Sequence, residues 1–130
     1  MKTVYGHSGP PLKDWQAGIY MPLSDTIYYR DSQVVIRAGI RAGVVAHEEK
    51  HREQAGGFFG RLCFAFMWKF SWRQRVEWEI EARAAQLVAA GEKDFIDWIK
   101  WHAKEIQTRY GQWRMHSDTI YQSLVEQSRA

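Results

Sequence analysis

A single cysteine, Cys63, stands in the 130 residues. No intrachain disulfide is available, and one chain cannot build a cysteine-based zinc site. Flanked by Leu62, Phe64 and Phe66, the thiol reads as a buried, inert group in a reducing compartment. No long apolar run exists either. The longest, residues 62–68, is too short to span a bilayer. It lies between Arg61 and Lys69, so it reads as a core helix in preference to an amphipathic membrane contact. No apolar stretch follows residues 1–7, so no secretory signal is expected and a cytoplasmic location is. Charge of one sign is also scarce. The net charge is +3 with no run of Lys and Arg, and bases alternate with Glu as on solvated helix faces. Neither nucleic acid nor a transmembrane segment is expected.

What the chain does have is aromatic bulk, including seven Trp, and each ring buries a large area, so even a short chain can build a core. Residues 1–18 are rich in Gly and Pro and read as an extended, loosely held leader. Residues 19–36 look β-like, with strand candidates at 27–29 and 34–36 and turn residues Asp31 and Ser32 between them. From about Gly39 the pattern is helical. Helices are predicted near 39–55 (ended by Gly56 and Gly57), 58–70, 72–90 (ended by Gly91), 93–109 and 113–128. The expected architecture is α+β but mainly α, in one domain over 1–130. Short N-terminal strands precede a helical core and C-terminal helices. The ring-rich stretch Phe58, Phe59, Phe64, Phe66, Trp68, Phe70 and Trp72 is read as a helix burying most of its circumference. Any excess would serve a subunit or assembly interface.

The stretch that carries chemistry is His47-Glu48-Glu49-Lys50-His51, which fits H-E-x-x-H. Two histidines four apart on a helix project from one face. They can hold one tetrahedral Zn²⁺, and the Glu after the first His can take a proton from a water on that metal. The bland alternative is a charge-rich, solvated helix. At about 100° per residue, Ile40, Val44, His47, His51 and Ala55 share one stripe, with Glu48 at its edge. Glu49, Lys50, Arg52 and Glu53 fall away from it. The histidines therefore face the core, where they need partners.

A third ligand is expected from the helix near 72–90. There Glu79 sits mid-way across an apolar face made by Trp72, Val76, Ile80 and Leu87 on one side and Trp78, Ala82, Ala85 and Ala89 on the other, while Glu77 and Glu81 point away near Val88. A carboxylate so placed is rarely buried unless paired or metal-bound. The alternative to metal is an ion pair with Arg83 or Arg75, one turn away on either side.

Extended by Gln54, the motif reads HExxHxxQ, and the segment from Trp78 to Ala82 contains an E-x-x-A element. Residues 42–90 thus resemble the minimal zincin core of small, bacterial or phage-encoded gluzincin-like metallopeptidases. The resemblance implies His47, His51 and Glu79 as zinc ligands and Glu48 as general base. It departs at Arg83, where several such families carry an Asp that supports a zinc-bound His.

The function this implies is a zinc-dependent hydrolase, a peptidase acting on a peptide or protein substrate. A strand near 26–36 would hold the substrate extended. His102, Tyr110, His116 and Tyr121 are weighed as oxyanion donors, with packing or surface roles preferred for each. His7 is read as unrelated to the metal. Two competitors stand beside this reading. One is a non-catalytic protein of a larger assembly, such as a phage particle, that keeps a zincin-like metal site. The other is a metal-free bundle in which HEEKH is coincidental.

Overall fold

The computed structural model of the chain describes residues 2–13, 16–30 and 38–130, the side chains of 38–41 excepted. The strand candidate at 34–36, its turn residues Asp31 and Ser32, and the side chain of Ile40 lie outside the described residues. Three short strands come first: β1 (Lys2–Val4), β2 (Gly18–Met21) and β3 (Thr26–Tyr29). Helices follow: α1 (Ala38–Ala55), α2 (Phe58–Phe70), α3 (Trp72–Ala89), α4 (Ile96–Arg109) and α5 (Ser117–Arg129). The fold is α+β, mainly α, with the strands ahead of the helices.

β3 is the middle strand. It pairs parallel with β1, Thr3 opposite Ile27, and antiparallel with β2, Tyr20 opposite Ile27. The leader is therefore tied in at its start by β1, and Leu12 within it is buried. Pairing on both sides also corrects the substrate-strand expectation for residues 26–29, while residues 31–36 lie outside the described ones. Over residues 26–29 the backbone donors and acceptors are spent inside the sheet, so β3 has no free edge to offer a peptide.

The helix boundaries follow from local chemistry. Gly56 ends α1 in the left-handed region at φ +70, which a residue without Cβ adopts freely. Ser71 alone joins α2 to α3, and its hydroxyl accepts the Gln74 N–H to cap α3. α5 begins later than expected because Gln112 and Trp113 both take positive φ, at 51 and 65, which no helix can continue. His116 then caps it by accepting the Asp118 N–H at Nδ1. α4 likewise starts at Ile96, after a turn closed by Phe95 N–H on the Glu92 carbonyl.

Two apolar clusters share α3. One joins Val76, Ile80, Ala84 and Leu87 to Ile99, Ala103 and Ile106 of α4 and to Ile120 and Leu124 of α5. The other joins Tyr20, Ile27 and Tyr29 of the sheet to Val44, Ala55 and Phe64, with Trp68 and Trp78 packed against it. The helix α1 packs along α3 and against β2, so the seam between α1 and α3 lies at the middle of the fold.

α2 departs from expectation. Its inward rings are Phe64 and Trp68, and Phe58, Phe59, Phe66 and Phe70 are all at least 62% exposed. Cys63 faces outward with them. One helix face touches the fold, so half the ring-rich stretch stays in water and the thiol is not buried.

Candidate metal centre

Helical phase brings three residues to the seam. Within α1, Val44, Glu48, His51 and Ala55 are buried, while Glu49 and Glu53 are exposed. His47 stands one turn before His51, and its side chain is 12% exposed. Within α3, Glu79 is fully buried, with Glu77 and Val88 outward. His47, His51 and Glu79 each offer one ligand atom, and these atoms lie within 4.8 Å of one another. His47 Nε2 is 3.2 Å from Glu79 Oε1, and His51 Nε2 is 3.1 Å from Glu79 Oε2.

The far nitrogens decide what those short distances mean. Gln54 directs its amide NH₂ at two acceptors, the Trp78 carbonyl at 2.9 Å and Glu81 Oε2 at 3.1 Å. Its Oε1 is therefore the atom facing His51 Nδ1, at 2.9 Å. A carbonyl oxygen only accepts, so His51 carries its proton on Nδ1 and turns the Nε2 lone pair toward Glu79. His47 Nδ1 lies 2.8 Å from Gln86 Oε1, and a proton on that nitrogen would likewise turn its Nε2 lone pair toward Glu79. Two imidazole lone pairs aimed at one carboxylate at 3.1–3.2 Å repel unless a cation lies between them. That cation is either a metal ion or an added proton on each ring.

The proton alternative is crowded. Arg83 Nε already donates to Glu79 Oε1 at 3.0 Å. Two imidazolium rings and one guanidinium would then surround one carboxylate, with ring centroids of the two histidines only 4.9 Å apart. A divalent ion needs neutral imidazoles and removes that repulsion. The donor set of two imidazoles and one carboxylate, each imidazole held from behind by an amide oxygen, fits zinc.

Without a metal, the same contacts favour an imidazolium at His51 beside an ionised Glu79. Burial acts to raise the Glu79 carboxyl, and the charges and hydrogen bonds of His47 and His51 outweigh it, holding Glu79 well below the usual carboxylate range. For His51, burial acts downward, and the hydrogen bond and charge of Glu79 outweigh it and raise the ring. Burial pushes the Glu48 carboxyl up. Glu48 accepts the Tyr20 backbone N–H, and its buried Oε2 has no partner among the described residues. A Cβ on Gly18 would come within 3.2 Å of Glu48 Cγ, so the bare glycine of β2 is what lets this side chain lie against the strand.

Arg83 answers the ion-pair alternative for Glu79 and does more besides. Its second contact, Nη1 to His102 Nδ1 at 2.8 Å, fixes His102 as a neutral acceptor. Burial and the Arg83 charge drop His102 to a pKa of about 3. Arg75 turns elsewhere, to the carbonyls of Tyr110 and Trp68. Of the four oxyanion candidates, Tyr110 bonds Arg83 and His102 lies behind Arg83. His116 caps α5, and Tyr121 packs on the α4–α5 core. His7 bonds the Pro10 carbonyl and takes no part.

Gln86 and the Tyr20 N–H were not found from the sequence. Gln86 had a signal: Glu79, Arg83 and Gln86 follow one another at spacings of four and three, one face of one helix. The Tyr20 contact is made by backbone and leaves no mark in the sequence. No protein-family profile, curated protein or solved structure matches the chain.

Proposed function

We propose that the chain is a zinc-dependent hydrolase, a peptidase, with His47, His51 and Glu79 as the zinc ligands and Glu48 as the general base. One observation carries the reading: each histidine sets its Nδ1 against an amide oxygen and its Nε2 within 3.2 Å of a buried carboxylate, the arrangement that ligation through Nε2 calls for. Zinc held there supplies Lewis acidity toward a carbonyl oxygen and toward water. Glu48 supports the catalytic version. Its Oε2 has no partner among the described residues, its carboxyl is raised by burial, and it accepts the Tyr20 N–H. It would accept a proton from the attacking water at Oε2 and return it to the leaving amine. Arg83 would hold Glu79 in place through Oε1, leaving Oε2 as the freer ligand oxygen.

The test is elemental analysis of the untagged protein, followed by peptide-cleavage assays on the zinc-loaded form. About one zinc per chain, lost on His51→Ala, together with cleavage lost on Glu48→Gln, is the expected result. No zinc after refolding with the metal would overturn the reading.

A second reading, a non-catalytic member of a larger assembly that keeps the metal for stability, draws on enclosure. His51 is 6% exposed and Glu79 not at all, as structural sites tend to be. One zinc per chain with no turnover on any peptide would favour it.

A further inference from the structure

The outer face of α2 takes no part in the candidate centre and has no partner among the described residues. Phe58, Phe59, Leu62, Phe66 and Phe70 form a stripe that climbs the helix at spacings of three and four. A fully exposed phenylalanine presents roughly 200 Å². The four phenylalanines, each at least 62% exposed, therefore leave on the order of 500 Å² of apolar surface in water, the upper range for a monomer's largest patch.

The charged residues within the stripe's own segment are all basic. Residues 54–76 contain Arg61, Lys69, Arg73 and Arg75 and no acidic residue. Arg75 is turned inward onto carbonyls, while the other three sit beside the rings. Arg61 lies over Phe58 at 5.7 Å, Lys69 over Phe70 at 5.6 Å, and Arg73 over Trp72 at 5.4 Å. Arg114 of the α4–α5 connection joins them over Trp72 at 5.8 Å. Bases thus mark both ends of an aromatic stripe. An isologous pair of chains would set these bases against their own copies with no acid in the segment to answer them. A surface of anionic headgroups answers all of them while the rings enter the acyl boundary.

We propose that the outer face of α2 seats this protein on an anionic bilayer surface, lying in the interface without crossing it. None of the described helices is long and apolar enough to span a membrane, and none needs to be. The site at the α1–α3 seam would then work on substrates held at or near that surface. The docking itself does not depend on the metal.

Co-sedimentation of the full chain with unilamellar vesicles tests this. Binding is expected to phosphatidylcholine vesicles containing about a third phosphatidylglycerol, not to phosphatidylcholine alone, with release at high salt. Lys69→Gln and Arg73→Gln should each weaken partition about fivefold. Phe59→Asp with Phe66→Asp should abolish it without altering circular dichroism, since both rings point into solvent. Protein treated with a chelator should bind as the untreated protein does. Three results would overturn the proposal: no binding to the anionic vesicles at low salt, binding undiminished in the double Asp variant, or a dimer by light scattering that the same variant dissolves.

Discussion

Gln86→Met is the perturbation that separates a tuned metal ligand from a polar residue that merely fills space. Methionine matches the glutamine in length and keeps the charge unchanged, but its sulfur is only a weak acceptor in place of the amide oxygen that now stands 2.8 Å from His47 Nδ1. In the metal-free protein the loss is one hydrogen bond, about 1 kcal/mol. In the zinc-bound protein the ring also loses its orientation. Removing such a support typically costs 10–100-fold in metal affinity. At free zinc about 100 times the parent's Kd, zinc should add about 2.7 kcal/mol of stability, a rise of about 10 °C in Tm for a domain of this size. With affinity about 30-fold weaker, the same zinc concentration should add only about 1 kcal/mol, or some 3–4 °C. The assay is thermal unfolding in buffered zinc and in chelator, with His51→Ala as the variant whose zinc increment should vanish. An increment in Gln86→Met equal to the parent's would refute the claim that Gln86 sets the His47 tautomer for a metal.

Two further expectations follow from the buried polar groups. Glu48→Gln should keep one zinc per chain by elemental analysis and lower peptide turnover by 10²–10⁴-fold; zinc lost in this variant and kept in Glu79→Ala would reverse the assigned roles. His102, with a folded pKa of about 3 against roughly 6.5 unfolded, binds fewer protons folded than unfolded between those values. Stability should therefore be fully present above pH 6.5 and fall as pH drops, by up to about 1.4 kcal/mol per pH unit from this group. Urea unfolding from pH 7 to 4 should show a shallower fall in His102→Gln, and an unchanged slope would remove His102 from the account.

Periodicity made the helical half of the molecule legible. The stripe through Val44, His51 and Ala55 and the mid-face position of Glu79 depend only on angular steps along a helix, and both are buried. What periodicity could not give is distance in sequence. The Glu48 carboxylate is held by the Tyr20 backbone, 28 positions earlier, through a main-chain N–H that any residue would supply. His102 reaches the cluster through Arg83 from a helix whose phase alone said only that it packs. The α2 rings misled because a helix rich in apolar residues all round predicts burial all round. This helix packs through one side, where Phe64 and Trp68 meet rings of β2, α3 and Tyr110, so those two found a core and Phe59 and Phe66 did not.

Arg83 is the residue on which the metal and ion-pair readings of Glu79 meet, and they predict opposite responses to its removal. A guanidinium and a zinc ion compete for one carboxylate: Arg83 holds Oε1 at 3.0 Å while the histidines converge on both oxygens. Arg83→Met should cost the metal-free protein about 3–5 kcal/mol, because Glu79 stays buried with its fixed cation gone. The zinc-bound protein should lose less, since the metal remains as counter-ion. By reciprocity the variant must then bind zinc more tightly than the parent, and its Tm should rise more on zinc addition than the parent's. If the increment shrinks instead, Arg83 serves the metal by aiming Glu79, and its rigid fork matters more than its charge. If zinc leaves both proteins unchanged while Arg83→Met unfolds, Glu79 is only the partner of Arg83, and HEEKH is a helix face that happens to carry two histidines.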